Sequence, residues 1–207
     1  MRQKLLEEYK KTLRLSDLQK EVLVGLILGD SHIELSPNGK SARLKVEYSI
    51  KNADYVEWLY QIFKNLVKMI PRKRTINSFG GNFERFGFTT LSLTDFLSFR
   101  ELFYQTKTKI VPQNISKILT RLGLAVWFMD DGSYKSKECR GKLICTHNFT
   151  IEEVTFLCQV LKEKFGLEAI PRQQIDGVEI YIRASSFSRL KKLIFPFIVT
   201  SFLYKLD

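Results

Sequence analysis

Residues Leu23–Ser31 read LVGLILGDS, and residues Leu124–Gly132 read LAVWFMDDG. Each is the end of an apolar helical stretch, each closes on an aspartate, and the second lies half the chain beyond the first. The first stretch, SDLQKEVLVGLILGD, begins at Ser16, where Ser16 and Gln19 form an S-x-x-Q capping box. The second, SKILTRLGLAVWFMDDG, begins at Ser116. Self-similarity at this period makes an internal repeat the first hypothesis to test.

The repeat extends outward from both aspartates. After Asp30 come a turn region, Ser36-Pro37-Asn38-Gly39, and an alternating strand, 42–49; after Asp131 come a basic turn, 134–141, and a strand, 142–146. Each half then has an amphipathic helix. One is 53–69 with Asn52 as N-cap, and the other is 151–165 with a Thr150/Glu153 capping box. Two strands follow in each half, 72–76 with 83–90 and 168–174 with 178–184. Gly80-Gly81 and Asp176-Gly177 lie at the hairpin turns. A helix closes each half, 94–104 and 186–197. The reading is therefore an α+β chain of two pseudo-symmetric αββαββα halves, 1–112 and 113–207, linked near Pro112. The basic lead Met1–Arg14 reads as a helix or a loose arm, not a transit peptide.

Alternation says which strand faces are free. Leu44, Val46 and Tyr48 face the helices, so Arg43, Lys45 and Glu47 point away; likewise Val178, Ile180 and Ile182 point in, while Glu179, Tyr181 and Arg183 point out. Any half-exposed sheet has a polar outer face. Here there are two such faces on a chain with 33 Lys and Arg against 22 Asp and Glu, a formal charge of +11. Such a balance points to a polyanionic partner, nucleic acid first. A ribbon of strands can read base edges in the major groove through side chains of this kind.

Other classes are disfavoured. Cys139, Cys145 and Cys158 are an odd set without zinc spacing, and His32 and His147 are the only histidines, which argues for a reduced intracellular protein without a histidine-based zinc site. The apolar runs are too short to span a bilayer.

An aspartate in the last turn of a helix faces the negative end of the helix dipole, and here that choice is made twice. The Asp131-Gly132 pair alone could simply cap a turn; the repeat asks for more. Gly25 and Gly29 would let a second helix come close, by size alone. Two apolar helices packed together would bring Asp30 and Asp131 side by side, where a divalent cation would relieve their repulsion. Oxygen-only ligands suit magnesium, manganese or calcium, and such a site suits phosphodiester hydrolysis assisted by nearby lysines.

LVGLILGDS and LAVWFMDDG resemble the two motifs of the single-chain branch of the LAGLIDADG homing endonucleases, and the repeated element order extends the resemblance over nearly the whole chain. It implies a saddle of two four-stranded antiparallel sheets on double-stranded DNA, cut by a monomer at a long non-palindromic site. It implies Asp30 and Asp131 as metal ligands, with the carbonyls of Gly29 and Asp130. Lys109 and Lys205 would be the catalytic lysines, with Lys107 as the alternative in the first half. Mg2+ would be the cofactor, with Mn2+ substituting and Ca2+ binding without cleavage. The expected DNA contacts are Arg43, Lys45, Arg72, Arg74, Arg85, Lys135, Lys142, Arg172, Gln174, Tyr181 and Arg183, whereas Lys191 and Lys192 should face solvent. Departures from the family pattern are Ser31 for glycine, Val126 and Trp127 in the second motif, and Val46 and Glu47 where glutamine is common. The roles of Glu47 and His147 stay open. An intron RNA maturase and a non-cleaving DNA-binding regulator are the alternatives. The host is an organelle, mitochondrion or chloroplast, or a bacterial cytoplasm, with no membrane partner.

The charge reading has a direct check. Duplex DNA affinity should fall steeply with salt, by on the order of a thousandfold between 50 and 200 mM if about six phosphates are contacted. A salt-independent affinity, or an obligate dimer in sedimentation, would contradict the reading.

Overall fold

A computed structural model describes residues 2–78, 80–136 and 139–207 of the chain. Two helices, α1 (Arg2–Thr12) and α2 (Asp17–Leu28), lead into β1 (His32–Leu35), β2 (Ala42–Ser49), α3 (Ala53–Phe63), β3 (Arg72–Ser78), β4 (Gly81–Thr89) and α4 (Thr94–Phe103). A small hairpin, β5 (Tyr104–Gln105) and β6 (Thr108–Lys109), and a short helix α5 (Ile115–Ile118) precede α6 (Arg121–Asp131). The second series is β7 (Gly132–Ser136), β8 (Cys139–Cys145), α7 (Ile151–Phe165), β9 (Ala169–Gln174), β10 (Gly177–Ile182) and α8 (Phe187–Ile194), followed by 3-10 turns. The αββαββα order thus occurs twice. The large sheets have the same topology, β1-β2-β4-β3 and β7-β8-β10-β9, and every pairing is antiparallel.

By packing, residues up to Lys20 and Ser31–Leu102 form one compact unit, and Glu21–Asp30 with Phe103–Asp207 form the other. In the first unit, Leu44, Val46 and Tyr48 on β2 are buried beneath α3, whose Tyr55, Val56 and Leu59 are buried in turn. The Tyr48 and Tyr55 rings meet edge to face, 5.1 Å between centroids. In the second unit, Ile144, Ile180 and Ile182 form the inner face of the sheet, with Leu157 and Leu161 of α7 and Leu190 of α8 also buried. Among the described residues no helix is long and apolar enough to cross a membrane.

Both expected capping boxes form. Ser16 Oγ accepts from Gln19 N–H while Gln19 Oε1 accepts from Ser16 N–H, and Thr150 and Glu153 exchange the same pair. Several boundaries differ, each for a local reason. The helix over 53–69 ends at Phe63 because the Gln19 amide donates to the Ile62 carbonyl and the Asn65 side chain, stabilising a 3-10 turn at Lys64–Leu66. Asn52 occupies the N-cap position of α3 as expected but makes no side-chain cap hydrogen bond, and Ser49 caps a 3-10 turn ahead of it. The stretch from Ser116 breaks at Leu119–Thr120, where the Thr120 hydroxyl accepts from Gly123 N–H and starts α6 anew. The basic turn over 134–141 is strand at its described residues, with Lys137 and Glu138 outside them.

Within the second unit, the 21–30 part of α2 lies against α6. A Cβ on Gly25 would overlap the Gly123 carbonyl oxygen and the Val126 side chain. A Cβ on Gly123 would come to 3.1 Å from the Glu21 carbonyl oxygen, a tight contact rather than an overlap. Backbone meets backbone here, and side-chain bulk cannot be accommodated without displacing one helix.

Gly25→Ala should therefore destabilise the protein by roughly 1–3 kcal/mol in urea denaturation. Gly81→Ala, with nothing within 4 Å of the added Cβ, should change stability by less than about 0.5 kcal/mol. Equal effects would place the α2–α6 contact outside the determinants of stability.

Candidate active site at the paired helix ends

α2 and α6 deliver their carboxyl-terminal residues to one place in the second unit. Gly29 follows α2, its N–H donating to the Gly25 carbonyl at 3.0 Å, and Asp30 comes next. The Asp130 carboxylate of α6 reaches over Gly29 and accepts from the Asp30 N–H at 3.2 Å. A Cβ on Gly29 would overlap that carboxylate. The two motifs are thus complementary at this position: one needs the missing side chain because the other supplies an acid.

Two lysines converge on the same helix ends. Lys109, on β6 of the small hairpin, donates from Nζ to the Gly29 carbonyl at 2.6 Å. Lys107 sits in the exposed hairpin turn, so it is Lys109 that the fold brings in. Lys205, in the 3-10 turns at Thr200–Leu206, donates to the Met129 carbonyl at 2.6 Å and the Asp130 carbonyl at 3.3 Å. Each ammonium lies at a helix C-terminus, where the orphan carbonyls and the dipole favour a cation.

The electrostatics are asymmetric. Burial, then the charge of Asp30, pushes the Asp131 carboxyl up from its usual 3.8 to about 7, against the pull of Lys109 and Lys205. The Trp127 indole acts weakly in the same direction as the lysines while forming no hydrogen bond of ordinary geometry. Burial lowers both lysines, partly offset by the three carboxylates. Three acids against two ammoniums leave a site short of positive charge.

Asp30 and Asp131, with the Gly29 and Asp130 carbonyls, form an oxygen donor set of the kind that suits a hard divalent cation. The lysines take one lone pair on Gly29 and share Asp130, and a carbonyl has two. Among the described residues no group of three or more His, Cys, Asp or Glu side chains is arranged around a metal position. The remaining coordination sites would fall to water or phosphate oxygens.

The outer sheet faces carry most of the residues expected on DNA. On the first sheet, cross-strand rows place Arg72, Gly87 and Glu47 together and Arg74 beside Arg85; Lys45 lies opposite Thr89. A hollow of about 250 Å³ beside Gly87 is lined by Lys45, Glu47, Arg72 and Arg74. Arg43 pairs with Glu34 at 2.8 Å and Arg74 with Glu47 at 3.8 Å, so Glu47 has a counter-ion. On the second sheet, Arg172 (3.2 Å) and the Gln174 amide (2.7 Å) both reach Glu179. Lys135 lies 5.2 Å from the centre of the Tyr181 ring, and Arg183 is exposed.

Lys142 is the correction. Its register opposite Ile182 turns it to the inner face, where it is 1% exposed and cannot meet DNA. Lys191 is half-buried, with Nζ on the Leu206 carbonyl, whereas Lys192 is exposed as expected. His147 is exposed beside Gly177. Sequence reasoning missed the carboxylate role of Asp130; the signal was the Asp-Asp doublet set against Gly29-Asp30.

A family model for the LAGLIDADG DNA endonuclease family matches residues 20–190, and the chain belongs to that family. The "Probable intron-encoded endonuclease 1" of Wickerhamomyces canadensis is 32% identical over 98% of this chain and 90% of its own length. The "Cytochrome b mRNA maturase bI2" of Debaryomyces hansenii is 30% identical over 90% of this chain and 72% of its own. The solved structure of the homing endonuclease I-WcaI bound to its DNA recognition sequence superposes with a TM-score of 0.92 at 28% identity, covering 99% of this chain and 92% of that one.

The raised Asp131 carboxyl predicts a stability profile in chelator-treated protein. Below about pH 4 the group is protonated folded or unfolded and contributes no difference. As pH rises towards 7 the unfolded chain releases the proton and the folded one retains it, so stability falls, by at most about 4 kcal/mol, and levels off above 7. Asp131→Asn should then be more stable than the parent at about pH 8 and equal to it near pH 4. Parallel profiles would show that the buried charge carries no such cost.

Proposed function

We propose that this chain is a homing endonuclease that makes a double-strand break in a long non-palindromic DNA site, acting as a monomer with a divalent cation. Mg2+ is the proposed cofactor, with Mn2+ able to replace it and Ca2+ supporting binding without cleavage. The halves 1–112 and 113–207 would read the two sides of a site on the order of 20 bp, through Arg43, Lys45, Arg72, Arg74 and Arg85 on one and Lys135, Arg172, Gln174, Tyr181 and Arg183 on the other. The observation that carries the reading is the convergence of Asp30, Asp131, Lys109 and Lys205 on two packed helix ends.

A bound cation would supply Lewis acidity at the phosphate and a more acidic water. The chain's own residues do the rest. Asp30 and Asp131 would hold the cation, with the Gly29 and Asp130 carbonyls as further oxygen donors. Lys109 is anchored to the Gly29 carbonyl and Lys205 to the Met129 and Asp130 carbonyls, and an ammonium's three N–H groups leave at least one on each for phosphate oxygens as charge develops. The name of the Debaryomyces relative favours a second reading, intron RNA binding in aid of splicing, which would coexist with cleavage. The complete set of acids and lysines supports cleavage over a purely DNA-binding regulator. The relatives' intron-encoded and cytochrome b names support an organellar host gene.

Iterated binding selection from duplexes with a randomised stretch of roughly 30 bp supplies a target, which is then placed in a supercoiled plasmid. The parent should linearise it with Mg2+ and not with chelator. Asp30→Asn and Asp131→Asn should each lower cleavage by at least about a hundredfold while binding is kept or tightened, since negative charge near phosphate is removed. Cleavage at parental rates by either variant would end the metal-site assignment.

A further inference from the structure

Lys142 is a fully buried lysine that none of the proposed chemistry uses. Its Nζ donates to the Asp207 backbone oxygen at 2.7 Å and lies 4.6 Å from the centre of the Phe187 ring. An apolar residue would fill this inner-face position, beside Ile144 and opposite Ile182, at lower desolvation cost. Core stability therefore does not explain the charge; the oxygen it holds does.

That oxygen belongs to the segment carrying Lys205. A second lysine, Lys191 on α8, donates to the neighbouring Leu206 carbonyl at 3.0 Å. Phe202 and Leu206 are buried on either side of Lys205, which is itself 7% exposed. The segment is a run of 3-10 turns, Thr200–Leu206, whose i to i+3 hydrogen bonds hold a chain less firmly than an α-helix. Short segments of this kind fray unless tied down. Here two ammoniums tie the carbonyls of consecutive residues, Leu206 and Asp207, immediately after Lys205. The lysine end of Lys205 is fixed separately, by the Met129 and Asp130 carbonyls.

We propose that Lys142 and Lys191 are positioning residues that clamp the 206–207 backbone so that Lys205 is held at the end of α6. This rests on the assignment of Lys205 to the cleavage site. The clamp acts on Lys205 alone and touches no DNA, so it governs the rate of cutting and not affinity.

Lys142→Met keeps the buried stem and removes the donor; Lys142→Arg restores a donor; Lys191→Ala releases the other carbonyl from a half-buried position where folding is not at stake; Lys192→Ala is the control. In single-turnover cleavage of the selected duplex with saturating enzyme, Lys142→Met and Lys191→Ala should each cut at least about tenfold slower, with affinity within about threefold of the parent. Lys142→Arg should recover part of the rate, and Lys192→Ala should match the parent. Lys142→Met placed on Lys205→Ala should be no slower than Lys205→Ala alone, because the clamp acts through that lysine. Amide exchange over Phe202–Leu206 should accelerate in Lys142→Met while α7 is unchanged.

Parental rates in both Lys142→Met and Lys191→Ala, or a loss that adds to that of Lys205→Ala, would overturn the clamp. Accelerated exchange without slower cutting, in a parent that cuts, would overturn its link to catalysis. A parent that binds but never cuts would overturn the cleavage reading and the catalytic link together, and unchanged exchange would overturn the tether itself.

Discussion

The close approach of α2 and α6 is the constraint on which the rest of the site depends. Gly25 and Gly123 let the two backbones meet, and Gly29 leaves room for the Asp130 carboxylate. With those three glycines the helices end together, and Asp131 is held partly out of water close to the charge of the exposed Asp30. A bulkier residue at Gly25 or Gly29 would separate the helix ends, and the Asp131 carboxyl would return towards water and ordinary acidity.

The protein manages this charge in layers. Asp130 is absorbed by the Asp30 N–H. Lys109 and Lys205 neutralise the helix-end carbonyls and act on the carboxylates from a little further away. What remains uncompensated falls on Asp131, which holds its proton to about 7. The sheets follow the same logic at lower cost: Glu34, Glu47 and Glu179 each sit against an arginine on an exposed face. Those pairs keep the faces basic in sum while fixing the arginines' direction, at an energy that solvent makes small.

Much of this was legible in the sequence because the signals are local. Capping boxes, alternation on β2 and β10, and two apolar helix ends closing on aspartate need no knowledge of the fold, and the motif resemblance carried the lysines with it. What was not legible depends on register or on contacts between distant residues. Lys142 stands among the expected DNA contacts as a basic residue opening a strand, and only pairing with Ile182 shows it pointing inward. The α3 terminus is set by Gln19, more than forty residues upstream, and propensity cannot foresee it. The choice between Lys107 and Lys109 turns on a two-residue hairpin turn with Thr106 at φ 55, a conformation that a β-branched residue rarely declares.

The aspartate pair as the holder of a divalent cation is best tested in a crystal of the chain with a bound duplex, grown with Mn2+ and measured for anomalous scattering. The Mn2+ peak should lie about 2–2.5 Å from a carboxylate oxygen of Asp30 and of Asp131, with the Gly29 or Asp130 carbonyl among the ligands. Peaks on the phosphates or elsewhere on the protein, with none between these two aspartates, would contradict it.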